Sequence, residues 1–352
     1  MKEKLLIISK NQFGYLTDVY KWSEHLNDLY DISVICFDQG LPKMSIDGVS
    51  VKYCSRKMPR SLRGAIFIIW SIITCLKHNG KIIVVYFEKC DLIKKICKRK
   101  RIHLDIRTLS VSPSEDERKR YDSVLKKTCG IYNSVSIISR GLQSKIGLAK
   151  AEILPLGADE ISTCRHDFDF LRLLYVGTLS QRRIEDTIYG LNIFLRRHPG
   201  ISIKYDIVGD GNGNELQLLQ TLISEYNLGS YIVLHGRVPY DKVKTYFDRA
   251  NIGVSYVPVT EYFNYQPPTK TYEYVLSGLY CIATNTHENA QLIKDGINGQ
   301  LICDNPISFA NALEDMTRKI SEISQDDVKN SLISYSWKSI VSEHLIPILN
   351  NL

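Results

Sequence analysis

PPTKTYEYVLSGLYCIATNTHENAQLIKDGINGQL, residues 267–301, is the stretch from which the fold of this chain can best be predicted. Apolar residues three and four apart predict a helix over residues 272–276, which Gly278 would end. After it the pattern predicts a buried strand, a polar loop and the end of a short helix, at residues 280–283, 285–289 and 295–296 respectively. This order predicts an α/β unit, and by itself it is an ordinary crossover between strands.

The particular residues of this stretch are more informative than the periodic spacing of its apolar positions. P-x-K-x-x-E-Y, followed by S-G-L-Y-C-I-A-T and D-G-I-N-G, resembles the donor-binding segment of family-4 retaining glycosyltransferases, which have the two-domain GT-B fold. The resemblance implies that Glu273 binds the ribose hydroxyls of a nucleotide-sugar. It places Lys270 with Glu273 among the catalytic residues and Asn289 in the donor site. Many relatives carry a second glutamate eight residues before Glu273, where this chain has Tyr265, so the paired-glutamate motif is incomplete.

Two further loops in the same half resemble that family. A G-T-L turn begins at Gly177, and the resemblance implies that the basic residue six positions later, Arg183, binds the donor diphosphate with Arg182 beside it. Guanidinium groups bind phosphate oxygens bidentately and stabilise charge that grows on a leaving group. The alternative is a surface arginine pair at the start of a helix. In H-G-R-V, the resemblance places the nucleobase against the backbone of Arg237 and Val238.

Two acidic patterns look like metal sites but do not fit one. D-G-N-G at residues 210–213 is followed by glutamate and threonine where a calcium loop needs glycine and glutamate. D-F-D at residues 167–169 lies in a linker, and D-x-D metal sites belong to a different glycosyltransferase fold. We therefore predict no metal site and no cofactor, since a nucleoside-diphosphate sugar is a substrate.

The first 160 residues show their own alternation of strands and helices. KLLIIS predicts a buried parallel strand, the loop after it carries Gly14, and Thr17 is the expected N-cap of the next helix. A glycine between a strand and a helix either approaches a phosphate or sugar or makes a plain turn. HLDIRT, residues 103–108, predicts a strand ending in a loop on the acceptor side. There His103 is either a catalytic base or a strand-end histidine, and Arg107 is a second candidate.

Charge is distributed unevenly along the chain. Residues 1–160 contain 28 lysines and arginines against 17 acidic residues, a net charge of +11, whereas the chain as a whole carries +7. No interleaved aromatic and basic motif or zinc spacing supports a nucleic-acid partner. The expected partner of the basic half is therefore an anionic membrane surface or a phosphorylated acceptor.

An apolar run at residues 65–76 lies between two groups of cations. The first group precedes it and the second follows the next strand: Arg56, Lys57, Arg60 and Arg63, then Lys94, Lys95, Lys98, Arg99, Lys100 and Arg101. Twelve helical residues span about 18 Å, which is short of the hydrocarbon core of about 30 Å. The run is therefore not expected to cross a membrane. It is either a core-packed crossover helix or an interfacial helix flanked by cations.

Length and composition indicate the number of domains and the cellular compartment. The 352 residues are 44% hydrophobic, which is enough for two domains with cores of their own. Nine cysteines occur without a C-x-x-C pair, and no signal peptide precedes the first strand, so we expect a reducing cytoplasm. G-x-G-x-x-G is absent from the first loop, which removes the main support for a nicotinamide-dependent dehydrogenase.

Together these observations predict an α/β protein of GT-B fold, with two Rossmann-like βαβ domains facing a central cleft. The expected parts are an acceptor-binding domain, a nucleotide-sugar donor-binding domain and a C-terminal helix returning to the first domain, at residues 1–160, 161–335 and 336–352. The resemblance implies a retaining, metal-independent hexosyltransferase, and we expect it to be peripheral at the inner membrane face and to glycosylate a saccharide or lipid-linked saccharide. Two alternatives stay open: a nucleotide-sugar epimerase of this fold and a non-catalytic partner subunit of an active glycosyltransferase.

Overall fold

The structure, a computed structural model, describes residues 2–57 and 59–352, apart from the side chains of Arg60, Ser61 and Tyr240. The chain forms two compact units. The first contains Met1–Gly157 together with Trp337–Leu352, and the second contains Ala158–Ser336. Each unit has one parallel sheet, and a helix connects most pairs of successive strands. Within the described residues, no helix is both long enough and apolar enough to cross a membrane.

The first unit is built on a seven-stranded sheet of order β3-β2-β1-β4-β5-β6-β7. Its strands are β1 Glu3–Ile8, β2 Tyr30–Phe37, β3 Ser50–Cys54, β4 Lys81–Val85, β5 Ile102–Ile106, β6 Ser134–Ile137 and β7 Glu152–Ile153. Its first five helices are α1 Thr17–Leu26, α2 Arg60–Lys77, α3 Asp91–Ile96, α4 Glu115–Cys129 and α5 Arg140–Ile146. The central strands are buried on both faces, as their continuous apolar sequences require.

The second unit is built on a six-stranded sheet of order β10-β9-β8-β11-β12-β13. Its strands are β8 Leu171–Val176, β9 Ile203–Val208, β10 Ile232–Gly236, β11 Ile252–Ser255, β12 Tyr280–Thr284 and β13 Gly299–Ile302. Its helices are α6 Glu185–Arg197, α7 Glu215–Glu225, α8 Tyr240–Phe247, α9 Thr269–Leu276, α10 His287–Leu292, α11 Pro306–Lys319 and α12 Gln325–Asn330. This strand order is that of a doubly wound dinucleotide-binding sheet.

The last residues of the chain cluster with the first unit. They form α13 Trp337–Ile340, a π-helical turn Val341–Leu345 and α14 Ile346–Asn350, and α13 contacts α1. Trp337 is almost fully buried there, and a side chain at Gly157 would overlap its indole ring. The predicted α/β class with two Rossmann-like sheets is therefore confirmed.

Three local predictions need correction. Thr17 is the first residue of α1 and not its N-cap, because the cap position is occupied by Leu16, which has no side-chain acceptor. The polar loop before α10 is shorter than predicted. The hydroxyl of Thr286 accepts a hydrogen bond from the backbone N–H of Asn289, and this cap starts the helix at His287. His103 lies inside β5 and not at its end.

Candidate functional site

The candidate site lies in the second unit, where the strand order reverses beside β8. In such sheets the loops after the two central strands diverge and leave a crevice at the carboxyl ends of the strands. Gly177 ends β8 and Gly209 ends β9, and both have a φ of +149°, which favours glycine. A side chain on Gly209 would overlap the carbonyl oxygen of Gly177. The loops after β8 and β9 therefore approach each other so closely that Gly209 has no room for a side chain.

Lys270 extends from the first turn of α9 into this crevice. Its ammonium nitrogen lies 3.8 Å from the ring centroid of Tyr175, is buried and has no hydrogen-bond partner among the described residues. A Cβ on Gly177 would lie 3.1 Å from that nitrogen, so a larger residue would crowd it. Burial, and then the charge of Arg182, lower the pKa of Lys270 to about 7. The site thus holds a cation that lacks an anion.

Glu273 lies three residues further along α9, on the same face of the helix. Burial of its carboxyl group, and then the charge of Asp159, raise its pKa to about 7, while the Lys270 ammonium acts in the opposite direction. No ion pair within 4 Å joins Lys270 to Glu273 in the described part of the chain. The carboxylate is therefore available to accept hydrogen bonds from hydroxyl groups of a ligand.

Arg182 and Arg183 have different surroundings. The guanidinium of Arg182 stacks 4.1 Å from the ring centroid of Phe263, and burial lowers its pKa. Arg183 is half exposed and forms ion pairs with Asp186 at 2.6 Å and Asp304 at 3.6 Å. The geometry therefore favours Arg182 as the second cation of the crevice, although the sequence motif favours Arg183.

The backbone around Arg182 supports this assignment. Gln181 and Arg183, the residues on either side, have φ values of +59° and +53°. Non-glycine residues in this region carry a cost of about 1–3 kcal/mol each, and such strain is found mainly at functional sites. The turn is held from outside by the amide of Leu179, which donates to the carbonyl of Asp210 at 2.8 Å. The strained turn thus holds Arg182 in a fixed position against Phe263.

The predicted nucleobase residues lie at the end of β10, an edge strand of the sheet. Gly236 has a φ of +62°, and Arg237 is largely exposed, with its guanidinium 4.0 Å from Asp210. Val238 has intermediate exposure. These residues sit on the same carboxyl edge as Gly177 and Gly209, two strands away from Lys270 along the sheet.

Asn289, which the resemblance places in the donor site, and Tyr265 both contact other side chains of this unit. Asn289 is fully buried, donates to the Thr284 carbonyl at 2.9 Å and accepts from the Thr271 hydroxyl at 2.8 Å. Its side-chain amide is thereby occupied in joining α10 to α9 and to the last residue of β12. Tyr265 stacks on His287 with ring centroids 4.8 Å apart. This aromatic pair stands where relatives have their second glutamate.

The predicted acceptor-side residues lie in the first unit, and two of them are buried. His103 is completely buried between the hydroxyls of Ser134 and Ser136, each 2.7 Å from a ring nitrogen, and burial lowers its pKa to about 3. A role as catalytic base is therefore not supported, because the ring is completely shielded from solvent and both ring nitrogens contact serine hydroxyls. Gly14 has a φ of +91°, and a side chain there would overlap Met44.

Arg107 is also buried, at the carboxyl end of β5. It forms an ion pair with Asp18 of α1 at 2.5 Å, lies 3.6 Å from Asp105 and donates to the carbonyl of Leu154 at 2.8 Å. The guanidinium also lies 5.4 Å from the ring of Trp22. This set of contacts ties a helix, a strand and a loop together, which indicates a structural role instead of acceptor binding.

Several residues of the site gave no signal in the sequence. Tyr175 and Phe263 are the aromatic residues on which Lys270 and Arg182 stack. Tyr175 lies in a strand and Phe263 in a loop, and neither belongs to a motif. The same holds for Asp186 and Asp304, which engage Arg183. Within residues 2–57 and 59–352, no group of three or more histidine, cysteine, aspartate or glutamate side chains is arranged to hold a metal ion.

Comparisons with known proteins agree with this architecture. Residues 171–319 match the family model described as "Glycosyl transferases group 1". Among solved structures, sucrose-phosphate synthase from Thermosynechococcus elongatus is 15% identical with a TM-score of 0.76, over 99% of this chain and 100% of that one. No curated protein sequence matches.

Two other solved structures have similarly low identity. Anabaena HepE in complex with UDP and glucose is 14% identical with a TM-score of 0.75, over 99% of this chain and 100% of that one. The lipopolysaccharide outer core galactosyltransferase WaaB is 16% identical with a TM-score of 0.71, again over 99% and 100%. The fold is that of the GT-B glycosyltransferases, and residues 171–319 carry the sequence pattern of glycosyl transferases group 1.

Proposed function

We propose that this protein transfers a sugar from a nucleoside-diphosphate donor to an acceptor. The observation that carries the proposal is the unpartnered ammonium of Lys270 in the crevice beside β8, next to Arg182 and one turn of helix from Glu273. A buried cation without an anion is costly, so it is kept where a ligand supplies the anion. A diphosphate does so, and the HepE structures in complex with UDP and UDP-glucose are consistent with such a donor.

Each residue has a definite part in this reaction. Lys270 and Arg182 bind the diphosphate, and their attraction strengthens as the bond to the sugar breaks and negative charge moves onto the leaving group. Glu273 accepts hydrogen bonds from the ribose hydroxyls and fixes the nucleoside. Gly177 leaves room for the phosphates beside Lys270. Arg183 has a different part, since its ion pairs with Asp186 and Asp304 hold the turn that presents Arg182.

The finer features of the proposal come from the resemblance. They are a hexose donor, retention of the anomeric configuration, independence from a metal ion and no cofactor. The acceptor we propose is a saccharide or lipid-linked saccharide at the inner face of the cell membrane, where the protein is peripheral. The net charge of +11 in residues 1–160 supports an anionic acceptor or surface.

Titration calorimetry with UDP, GDP, ADP and CDP tests the donor class. We expect one nucleoside diphosphate to bind in the micromolar range and to raise the melting temperature. The matching sugar nucleotides are then incubated with the purified protein and followed by NMR. Slow hydrolysis with the original anomeric configuration supports a retaining transferase, whereas conversion of the intact donor into its epimer would identify an epimerase. Binding without any turnover, with or without saccharide acceptors, would identify a non-catalytic subunit.

A further inference from the structure

The outer side of α2 is apolar from Leu62 to Leu76. Four large apolar residues of α2 are 45–56% exposed and are spaced so that they share one face of the helix: Leu62, Ile69, Ile73 and Leu76. The opposite side of α2, with Phe67, Ser71 and Cys75, is buried and makes the contact with the core. A helix at the surface of a soluble domain normally turns polar residues outward. Folding therefore does not account for the outer stripe.

Helix α3 extends the same surface. It contacts α2, and the Cys97 thiol that follows it lies 3.8 Å from the carbonyl of Ile72. Leu92 and Ile96 are one turn apart on α3 and are 39% and 55% exposed. We call the six exposed apolar residues of the two helices the α2–α3 face.

The charges around the α2–α3 face are positive. Helix α2 contains no aspartate or glutamate. Several members of the second cation group are engaged elsewhere: Lys94 is buried and donates to two carbonyls, Lys95 pairs with Asp91, and Arg101 pairs with Glu3. Exposed cations without an ion pair among the described residues remain at the ends of both helices, namely Lys57, Lys77, Lys98 and Arg99. Arg60 belongs to the same region, but its side chain lies outside the described part.

We propose that the α2–α3 face docks on the surface of an anionic lipid bilayer. The apolar stripe inserts at the boundary of the acyl chains, and the cations at the helix ends contact the anionic headgroups. Charge complementarity favours this partner over a second copy of the chain, which would bring the same cations together. The inference rests on the proposed function only for the membrane-linked acceptor, because it names the protein surface that would contact that membrane. It does not depend on the donor site.

Tryptophan fluorescence provides a local probe of this surface. Of the three tryptophans, Trp22 and Trp337 are buried in the core, and Trp70 on α2 has intermediate exposure beside the apolar stripe. We expect vesicles containing about one-third phosphatidylglycerol to shift the emission to shorter wavelength, because the indole enters the interface. The variant Trp70→Phe should lose this shift and still sediment with the vesicles.

A paired substitution tests the apolar contribution. Ile69→Gln combined with Ile73→Gln should reduce the partition coefficient on acidic vesicles at least tenfold, because two inserted apolar side chains are lost. The matched control is Leu218→Gln with Ile307→Gln, which removes two equally exposed apolar side chains from the second unit and should leave partitioning unchanged. Raising the salt concentration should weaken binding of the wild-type protein.

The outcomes separate this inference from the proposed function. Nucleotide affinity of the Ile69→Gln, Ile73→Gln variant should equal that of the wild type, and an unchanged circular dichroism spectrum and melting temperature should show that the variant is folded. Failure of the wild-type protein to bind acidic vesicles, or equal binding by variant and control, overturns the docking surface and leaves the donor site untouched. A wild-type dimer in solution that this variant dissociates would likewise overturn it, in favour of self-association.

Discussion

Both units place charged side chains near the carboxyl ends of central strands, but the two clusters differ in how the charges are balanced. In the first unit, Arg107 lies between Asp18 and Asp105 and also donates to a carbonyl. In the second unit, Lys270 has no hydrogen-bond partner in the described part of the chain, and Arg182 stacks on an aromatic ring.

This difference separates a structural cluster from a binding cluster. Taking a charge out of water costs several kcal/mol unless another charge or hydrogen bonds compensate it. The first unit supplies much of this compensation from its own residues, although Arg107 Nε and Asp105 Oδ2 make no hydrogen bond within the described residues, so removing one member of the cluster should destabilise the fold. The second unit leaves Lys270 without a hydrogen bond to any described residue, which is why we propose that a ligand supplies the missing charge. The comparison predicts opposite consequences when a cation is removed from each cluster.

Arg107→Ala should have the largest effect, on stability. Removing the guanidinium leaves Asp18 and Asp105 buried without their partner, which typically costs about 3–5 kcal/mol. Urea denaturation followed by circular dichroism measures this loss. Arg140→Ala, at an exposed position in the same unit, is the control and should change the free energy of unfolding by less than about 0.5 kcal/mol. A loss below about 1 kcal/mol for Arg107→Ala would show that the cluster is not structural.

Arg182→Ala should act on turnover and leave the fold intact. Losing one electrostatic stabiliser of the leaving group lowers turnover by about 10²–10³-fold. The comparison variant is Arg183→Gly, because glycine accepts the positive φ at position 183 and removes only the side chain. We expect its turnover to fall by less than about tenfold. The reverse ranking in steady-state assays would restore Arg183 as the diphosphate ligand.

The fold could be predicted because its signals are local and repeated. Continuous apolar runs such as β1 and β4 identify strands covered on both faces, and Gly278, with a φ of +80°, ends α9 as expected. Errors arose where a side-chain hydrogen bond decides the boundary. The Thr286 cap starts α10 earlier than the polar sequence indicates.

The candidate site could be predicted only in part. Lys270 and Glu273 belong to one helix and one motif, so their proximity follows from spacing. The choice between Arg182 and Arg183 depends on the strained turn and on Phe263, which is 81 residues away in sequence and joins the site only through tertiary structure. The burial of His103 could not be seen either, because Ser134 and Ser136 come from a neighbouring strand.

Glu273→Gln should weaken nucleotide binding at least about tenfold. The amide has one acceptor oxygen where the carboxylate has two, and it loses the charge-assisted component of the bonds to the ribose hydroxyls. Titration calorimetry measures the change. Glu225→Gln, an exposed carboxylate on α7, is the control and should leave affinity unchanged. Equal affinity in both variants would contradict the assignment of Glu273 to the ribose.

The smallest effect expected is a dependence of nucleotide affinity on pH. The pKa of Lys270 is lowered to about 7 by burial, and an anion favours its protonated form, so affinity should fall by about tenfold between pH 7 and 8.5. The pKa of Glu273 is raised to about 7, and hydroxyl donors favour its ionised form, so affinity should also fall, by roughly threefold, as the pH drops below 7. The two signs together give a maximum near pH 7. Lys270→Arg, which stays protonated, should remove the alkaline decline alone, and Glu273→Gln should remove the acidic decline alone. Comparing each variant with the wild type at every pH cancels the titration of the nucleotide itself, so an alkaline decline that survives in Lys270→Arg would exclude Lys270 as its origin.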